Sequence, residues 1–354
     1  MSRYQLLEGF KVEVKREDYK LHLKGFDANK KLQTELVIAP DQSRFDLLAI
    51  SARHGYVTID ALNWLLYKRK SILMFDEKGN LVTELHPYVH LQRTSKVRML
   101  QYSMNNQVKH YLACDSIETK LSRMLYVLDS FEKEYDKVFE LQKQRIEKQK
   151  LKINEKVTFQ QLLRIEAEAS RNYWSAIKEC VPPKWKFEAR TRGLRGFTQP
   201  RHAKDYFNAM LNYSYSVLAS EITRACYATG FDPYFGFFHK EKKTLRSFTY
   251  DVIEPYRWLV DSTIILNSEK LNNPDKKTFI RTIDTKYGKV DFTFPMFILS
   301  ETKNTLLSLM HRTFTQRVFY RGKLYPWTTI FALKLRELGA YLEGSRKGFS
   351  FSEP

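Results

Sequence analysis

Between residues 10 and 53 apolar and polar side chains alternate, or β-branched and aromatic residues gather, over short stretches at 10–15, 19–26, 32–39 and 46–53. Turn-formers such as Asp27-Ala28-Asn29 and Pro40-Asp41 separate them. A period of two puts successive side chains on opposite faces of a strand, so these stretches predict strands. Two further runs, 71–76 and 81–86, flank Glu77-Lys78-Gly79-Asn80 and predict a hairpin. Between them and the preceding strand, Ile59–Tyr67 with Trp64 predicts one helix.

The period changes at about residue 95. Leu121, Leu125, Leu128, Phe131, Tyr135 and Val138 recur at three- and four-residue intervals, which predicts an amphipathic helix. Residues 132–156 are highly charged with few apolar positions, as in a solvated helix end or helical connector. Most of the remainder also reads as helical. The expected fold is α+β: a small β-sheet or sandwich domain over 1–92, then a larger, mostly α-helical domain over 93–354.

Charge narrows the partners. With 59 Lys and Arg against 40 Asp and Glu, the 354-residue chain carries a formal +19. That excess favours a polyanion, and its spread along the chain favours nucleic acid over a membrane surface. Hydrophobic residues at 43% suffice for sizeable cores, which excludes a disordered basic tail. No apolar run approaches the ~20 residues of a spanning helix. The start, Met1-Ser2-Arg3-Tyr4, lacks the apolar core of a secretory signal. Cys114, Cys180 and Cys226 are scattered and form no paired motif, which argues against structural zinc and disulfides and for the cytoplasm.

Candidate chemistry sits in three places. Thr158-x-x-Gln161 has the form of a capping box and predicts a helix start. On that helix Phe159, Leu162, Tyr173 and Ile177 share a face, and the spacing turns Glu166 into the same apolar stripe while Glu168 points away beside Gln161, Arg164 and Arg171. A carboxylate on a buried face is costly unless protonated, paired or metal-bound, so Glu166 is either half of an ion pair or a metal or catalytic group. Gly230 then ends a helix, Asp232-Pro233 makes a turn, and His239 follows an aromatic run, as a core histidine or as a ligand. Asp251 and Glu254, before Pro255, share one side of a turn, as an acidic helix start or as a pair needing a cation. Mostly hard oxygen donors with one nitrogen suit Mn²⁺ or Mg²⁺, ions that serve phosphodiester chemistry. Asp291 with Glu301-Thr302-Lys303 imitates a nuclease motif, but Ser300 onward reads as a helix start where that motif needs a strand.

Four segments in order carry a resemblance: Glu166-Ala-Glu-Ala-Ser-Arg171-Asn-Tyr173-Trp174; Asn208-Ala-Met-Leu211-Asn212-Tyr213-Ser-Tyr215; Gly230-Phe-Asp-Pro-x-x-Gly236-Phe-x-His239; and Tyr250-Asp251-x-x-Glu254-Pro255-x-Arg257 with Asp261. They resemble the signatures of the CRISPR-associated integrase, the Cas one family of spacer acquisition. The resemblance implies Glu166, His239 and Glu254 as metal ligands and Asp251 as a neighbouring acid that supports activity. It also implies insertion of short duplex DNA into a CRISPR repeat array through attack by a 3′-hydroxyl on a phosphodiester. Its expected partners are prespacer and array DNA, a second copy joined through the N-terminal domain, and the small Cas two protein. The sequence departs from the family pattern at Ala167, where Gly is common, and at Lys240, where an acid is frequent. Arg190, Arg192 and Arg195, after Pro182-Pro183-Lys184-Trp185, form a basic loop suited to a DNA backbone, as does Lys240; Arg312, Arg317, Arg321 and Lys323 are further candidates. Two other readings use the same residues. In one, water replaces the hydroxyl in a metal-dependent repair nuclease; in the other, Glu166 and His239 satisfy each other inside a non-catalytic DNA-binding scaffold.

Overall fold

The computed structural model describes residues 4–39, 45–76, 81–87, 94–190, 203, 205–239, 246–271, 279–281, 296–298 and 300–352. In chain order, strands β1 (Tyr4–Glu17), β2 (Lys20–Phe26), β3 (Leu32–Ile38) and β4 (Leu47–Val57) lead to helix α1 (Ile59–Tyr67) and strands β5 (Ser71–Phe75) and β6 (Leu81–Leu85). Helices α2 (Thr94–Tyr102), α3 (Asn106–Tyr135), α4 (Glu140–Lys150), α5 (Phe159–Cys180), α6 (Tyr206–Thr229), α7 (Ser247–Ile253) and α8 (Arg257–Asn267) follow. The chain then forms β7 (Phe279–Arg281), β8 (Met296–Ile298), α9 (Ser300–Thr315), β9 (Arg317–Tyr320), β10 (Lys323–Pro326) and α10 (Trp327–Leu342). A β-sheet domain thus precedes a mostly helical one.

The chain divides into two compact units: Met1–Val89 with Gly193–Ser216 and Asn272–His311, and His90–Arg192 with Val217–Leu271 and Arg312–Pro354.

In the first unit β1 to β6 make a six-stranded sheet in the order β3-β2-β1-β4-β5-β6, and β7 and β8 pair separately. Of the two forms the pattern allowed, sheet or sandwich, the sheet is the one that β1 to β6 form among the described residues. β4 lies between β1 and β5, parallel to both. Its run Leu47–Leu48–Ala49–Ile50–Ser51 is buried at every position, as a central parallel strand covered on both faces requires. Leu7, Val14, Leu21, Leu23, Leu48 and Ile50 meet Trp64 and Leu65 of α1 in one core. The turn at Asp27 is closed by its side chain, whose Oδ1 accepts from the Asn29 and Lys31 amides at 2.9 and 2.8 Å. The predicted turns at Pro40-Asp41 and 77–80 lie outside the described residues. Lys303 of α9, the lysine of the false nuclease motif, is buried and donates to Glu8 Oε1 at 3.0 Å and Ser51 Oγ at 2.8 Å. Its surroundings are a helix and a sheet face; Asp291 lies outside the described residues.

In the second unit α3 is the long central element. Leu112, Ile117, Leu121, Val127, Leu128 and Phe131 are buried along it. Val138 does not extend the stripe as expected. Asp136 takes a left-handed conformation (φ 48°) that stops the helix, and Val138 is 82% exposed while Phe139 turns inward. The charged stretch beyond it forms the solvated helix α4, anchored by Ile146.

Candidate active site

The site is assembled by α3, α5, the turn after α6, α7 and the 3-10 turn Glu254–Tyr256, all in the second unit. α5 begins where the capping box predicts: Thr158 Oγ1 accepts from the Gln161 amide at 3.2 Å and the Gln161 side chain accepts from the Thr158 amide at 2.8 Å. Leu162, Ile165, Ala169, Tyr173 and Ile177 are buried, and Glu166 sits on the edge of that face with its side chain 13% exposed. Glu168 points to solvent and pairs with Arg171 at 2.5 Å.

Glu166 is held by a residue the motifs do not contain. The Lys120 ammonium, from the buried face of α3, bonds Glu166 Oε1 and stands 2.6 Å from Glu254 Oε2. Arg257 Nε lies 2.8 Å from the same Glu254 oxygen. These two cations answer the need that a nearby acidic pair creates. Burial pushes Glu254 up, but Arg257 and Lys120 outweigh it and bring the carboxyl down to about 2. Burial pushes Lys120 down, and Glu166 and Glu254 more than reverse that. Lys120 therefore stands as a charged ammonium between the two side chains, with Glu254 a carboxylate beside it. Lys120 had a signal in the sequence: it falls three residues after Ile117 and one before Leu121, inside an apolar stripe, as Glu166 does.

His239 is oriented by Asp251. Its Nδ1 lies 2.5 Å from Asp251 Oδ1, which also accepts from the His239 amide at 2.9 Å. Asp251 Oδ2 accepts from the Phe237 and Phe238 amides at 2.6 and 2.9 Å. The Asp251 backbone is fixed in turn, its carbonyl accepting from Ser116 Oγ at 3.1 Å. Both carboxylate oxygens are thus committed inside the protein, to three amides and the His239 ring. Burial pushes His239 down, but its bond to Asp251 and the charges of Glu254 and Glu166 hold it above its ordinary value. Gly236 makes the close approach possible: a Cβ there would lie 2.6 Å from Asp251 Oδ2 and 2.8 Å from Ser247 Cβ. Upstream, Gly230 (φ 91°) ends α6, and buried Gln101 pins the next turn by donating to the Asp232 and Phe235 carbonyls, each at 2.8 Å, and accepting from the Asp232 amide at 2.7 Å. No local pattern marks Gln101, because its partners lie more than 130 residues away. Asp261 receives the Tyr173 hydroxyl at 3.1 Å, which locks α8 to α5.

The structure therefore brings Glu166 and Glu254 together around Lys120, and His239 together with Asp251. Among the described residues no three of His, Cys, Asp and Glu are grouped as for a bound metal ion. The chemistry of the donors nonetheless fits one. Two carboxyl groups already clasp a cation, and the Asp251 bond to Nδ1 would leave Nε2 to ligate, in the way carboxylates orient metal-bound histidines. Glu166, Glu254 and His239 would hold the ion, in the place Lys120 now neutralises. Of the expected DNA contacts, Arg190 is half-buried. Arg192, Arg195 and Lys240 lie outside the described residues.

A mixed-sheet unit and a helical unit with buried Glu254 clustered beside partly buried Glu166 define an α+β chain with an acidic centre. The family model for CRISPR associated protein Cas1 matches residues 44–285, more than half of the sequence, and the chain belongs to that family. It is 26% identical over 311 residues to the CRISPR-associated endonuclease Cas1 1 of Archaeoglobus fulgidus, covering 82% of this chain and 84% of that protein. Among solved structures it is similar to a casposase bound to integration product, with a TM-score of 0.85, 26% identity and coverage of 100% of this chain and 94% of that one. It also shares its fold with a chain of a Cas6-RT-Cas1–Cas2 complex, with a TM-score of 0.74, 17% identity and coverage of 98% of this chain and 36% of that one.

Proposed function

We propose that this protein is a metal-dependent DNA integrase that joins the 3′ ends of a short duplex to a target duplex. The observation that carries the reading is the clasp of Glu166 and Glu254 around a single cationic position, in a chain of this family. The likeness to a casposase bound to integration product supports strand transfer over hydrolysis alone.

In the proposed reaction the donor's 3′-oxygen forms a new bond to a target phosphorus. The bond from that phosphorus to the neighbouring 3′-oxygen breaks, and the proton lost by the attacking hydroxyl is balanced by one gained at the leaving oxygen. A bound Mn²⁺ or Mg²⁺ would supply Lewis acidity toward the phosphodiester. Glu166 and Glu254 fix the position of positive charge, Asp251 keeps the His239 ring in one orientation, and Arg257 balances the acidic pair. Lys120 and Arg257 would oppose repulsion between the carboxylates and an approaching phosphate. The CRISPR repeat array is the proposed target, with the small Cas two protein and a second copy of this chain as partners in the cytoplasm. The casposase likeness favours a second reading of the target only: the same transfer into DNA without a repeat array.

The test mixes the protein with a labelled duplex bearing 3′-hydroxyls and supercoiled plasmid, with or without an array, in Mn²⁺ or EDTA. Glu166→Ala and His239→Ala run alongside after circular dichroism confirms that both fold. Label joined to the array plasmid only with metal, and lost in both variants, is the expected result. Equal joining to both plasmids selects the second reading. Nicking without joining, even with the Cas two partner present, replaces integration by hydrolysis, and DNA binding with neither reaction leaves a scaffold.

A further inference from the structure

The ribbon formed by β9 and β10 is an unusual surface element. Residues 317–326 contain Arg317, Arg321 and Lys323 and no acid. The antiparallel register sets Leu324 directly opposite Phe319, and the two are 58% and 68% exposed. Tyr320, on the other face, is buried and donates its hydroxyl to Glu337, and Arg321 pairs with Glu337 at 3.1 Å. The inner face, which Lys323 shares as the register partner of Tyr320, thus holds the ribbon to α10, while the outer face presents an apolar cross-strand pair to water with Arg317 two residues from Phe319 on the same face. Such a pair stabilises a two-stranded ribbon more when covered than when bare.

Charge selects what covers it. A second copy of a chain with a formal +19 meets this acid-free ribbon with repulsion, whereas a polyanion gains from it. An exposed aromatic ring with an arginine on the same face is a combination that stacks on bases while neutralising a phosphate. The ribbon is also built onto the site. β10 runs directly into α10 at Trp327, whose ring lies 5.7 Å from Trp258 and 6.2 Å from Tyr256. Those two residues bracket Arg257, the partner of Glu254.

We propose that the β9–β10 ribbon is a DNA wedge, in which Phe319 stacks on a terminal or unpaired base, Leu324 packs beside it and Arg317 holds a flanking phosphate. The proposal rests on the DNA-joining reading above and adds to it a place where the end of a duplex is opened or capped. Its affinity has two separable parts: a stacking part that salt leaves unchanged and a phosphate part that salt screens.

The test uses the full chain and a short duplex with 2-aminopurine at its terminal pair, following anisotropy for affinity and 2-aminopurine emission for stacking, over a series of salt concentrations. Phe319→Ala and Leu324→Ala are surface changes that leave the fold intact by circular dichroism. Each is expected to weaken binding about ten-fold, to remove the emission change and to keep the salt slope. Phe319→Tyr retains both signals. Arg317→Gln lowers the salt slope by about one while keeping the emission change. If the parent binds the duplex and both alanine variants match it in affinity and emission, the ribbon proposal fails and the DNA-joining reading stands. If the parent binds no DNA at any salt, both fail. A fall in mass by light scattering on Phe319→Ala makes the patch a contact between copies and overturns the wedge.

Discussion

Lys120→Met replaces an ammonium by a side chain of similar length and leaves Glu166 and Glu254 without their shared cation. Their side chains are 13% and 3% exposed, so water replaces it poorly, least of all at Glu254. Breaking a buried pair by removing one partner costs about 3–5 kcal/mol. Arg257 stays 2.8 Å from Glu254, which places the expected loss at the lower end, about 3 kcal/mol, or a factor of roughly 150 in the folding equilibrium. Urea denaturation in EDTA, followed by tryptophan emission, reads this directly, because Trp174, Trp185, Trp258 and Trp327 all lie in the second unit. Mn²⁺ should then stabilise the variant more than the parent, because in the parent the ammonium competes for the same carboxylates. At a hundred times its dissociation constant an ion contributes about 2.7 kcal/mol, enough to offset most of the loss. An unchanged midpoint in EDTA would refute the electrostatic account of the cluster. Equal stabilisation of both proteins by Mn²⁺ would show that the ion and Lys120 do not share a place.

Glu254 lies at about 2, below its ordinary 4.5, so the folded chain holds fewer protons than the unfolded one between those values. Its contribution to stability is complete above about pH 4.5 and is lost as pH falls toward 2; in acid titration of stability, Glu254→Gln should flatten that limb. Gly236→Ala puts a methyl 2.6 Å from Asp251 Oδ2, and overpacking of this kind costs about 1–3 kcal/mol. Calorimetry should show a lower Tm, and proton NMR a displaced His239 ring; an unchanged ring spectrum would remove the proposed orienting role of the turn.

Local signals carried much of the fold. The helix Ile59–Tyr67 and the strands flanking it lie where alternation and turn residues put them, and Thr158 caps α5 through both bonds of its box. Glu166 was legible because a carboxylate on an apolar stripe conflicts with its surroundings. The rest of the site is nonlocal. Lys120 meets Glu166 across 46 residues, and Ser116 meets Asp251 across 135. Asp251 looked like a possible ligand from its neighbour Glu254, yet its oxygens are consumed by three amides and one imidazole, a geometry that only the folded turn creates. Val138 kept the period of α3 but not its helix, because the backbone reversal at Asp136 came first.

The anchoring of Lys303 has a consequence for synthesis on the ribosome. Glu8 and Ser51 emerge early, but the lysine that binds them follows 295 and 252 residues behind. At ordinary translation speeds that interval from Ser51 is roughly 10–50 s. Throughout it the sheet lacks the buried lysine and the helix that carries it, so the nascent chain must be shielded or kept dilute until α9 arrives. A fragment ending before Ser300 inherits that incomplete state permanently, and its solubility would report the sheet's need for its late helix, not the strength of the sheet itself.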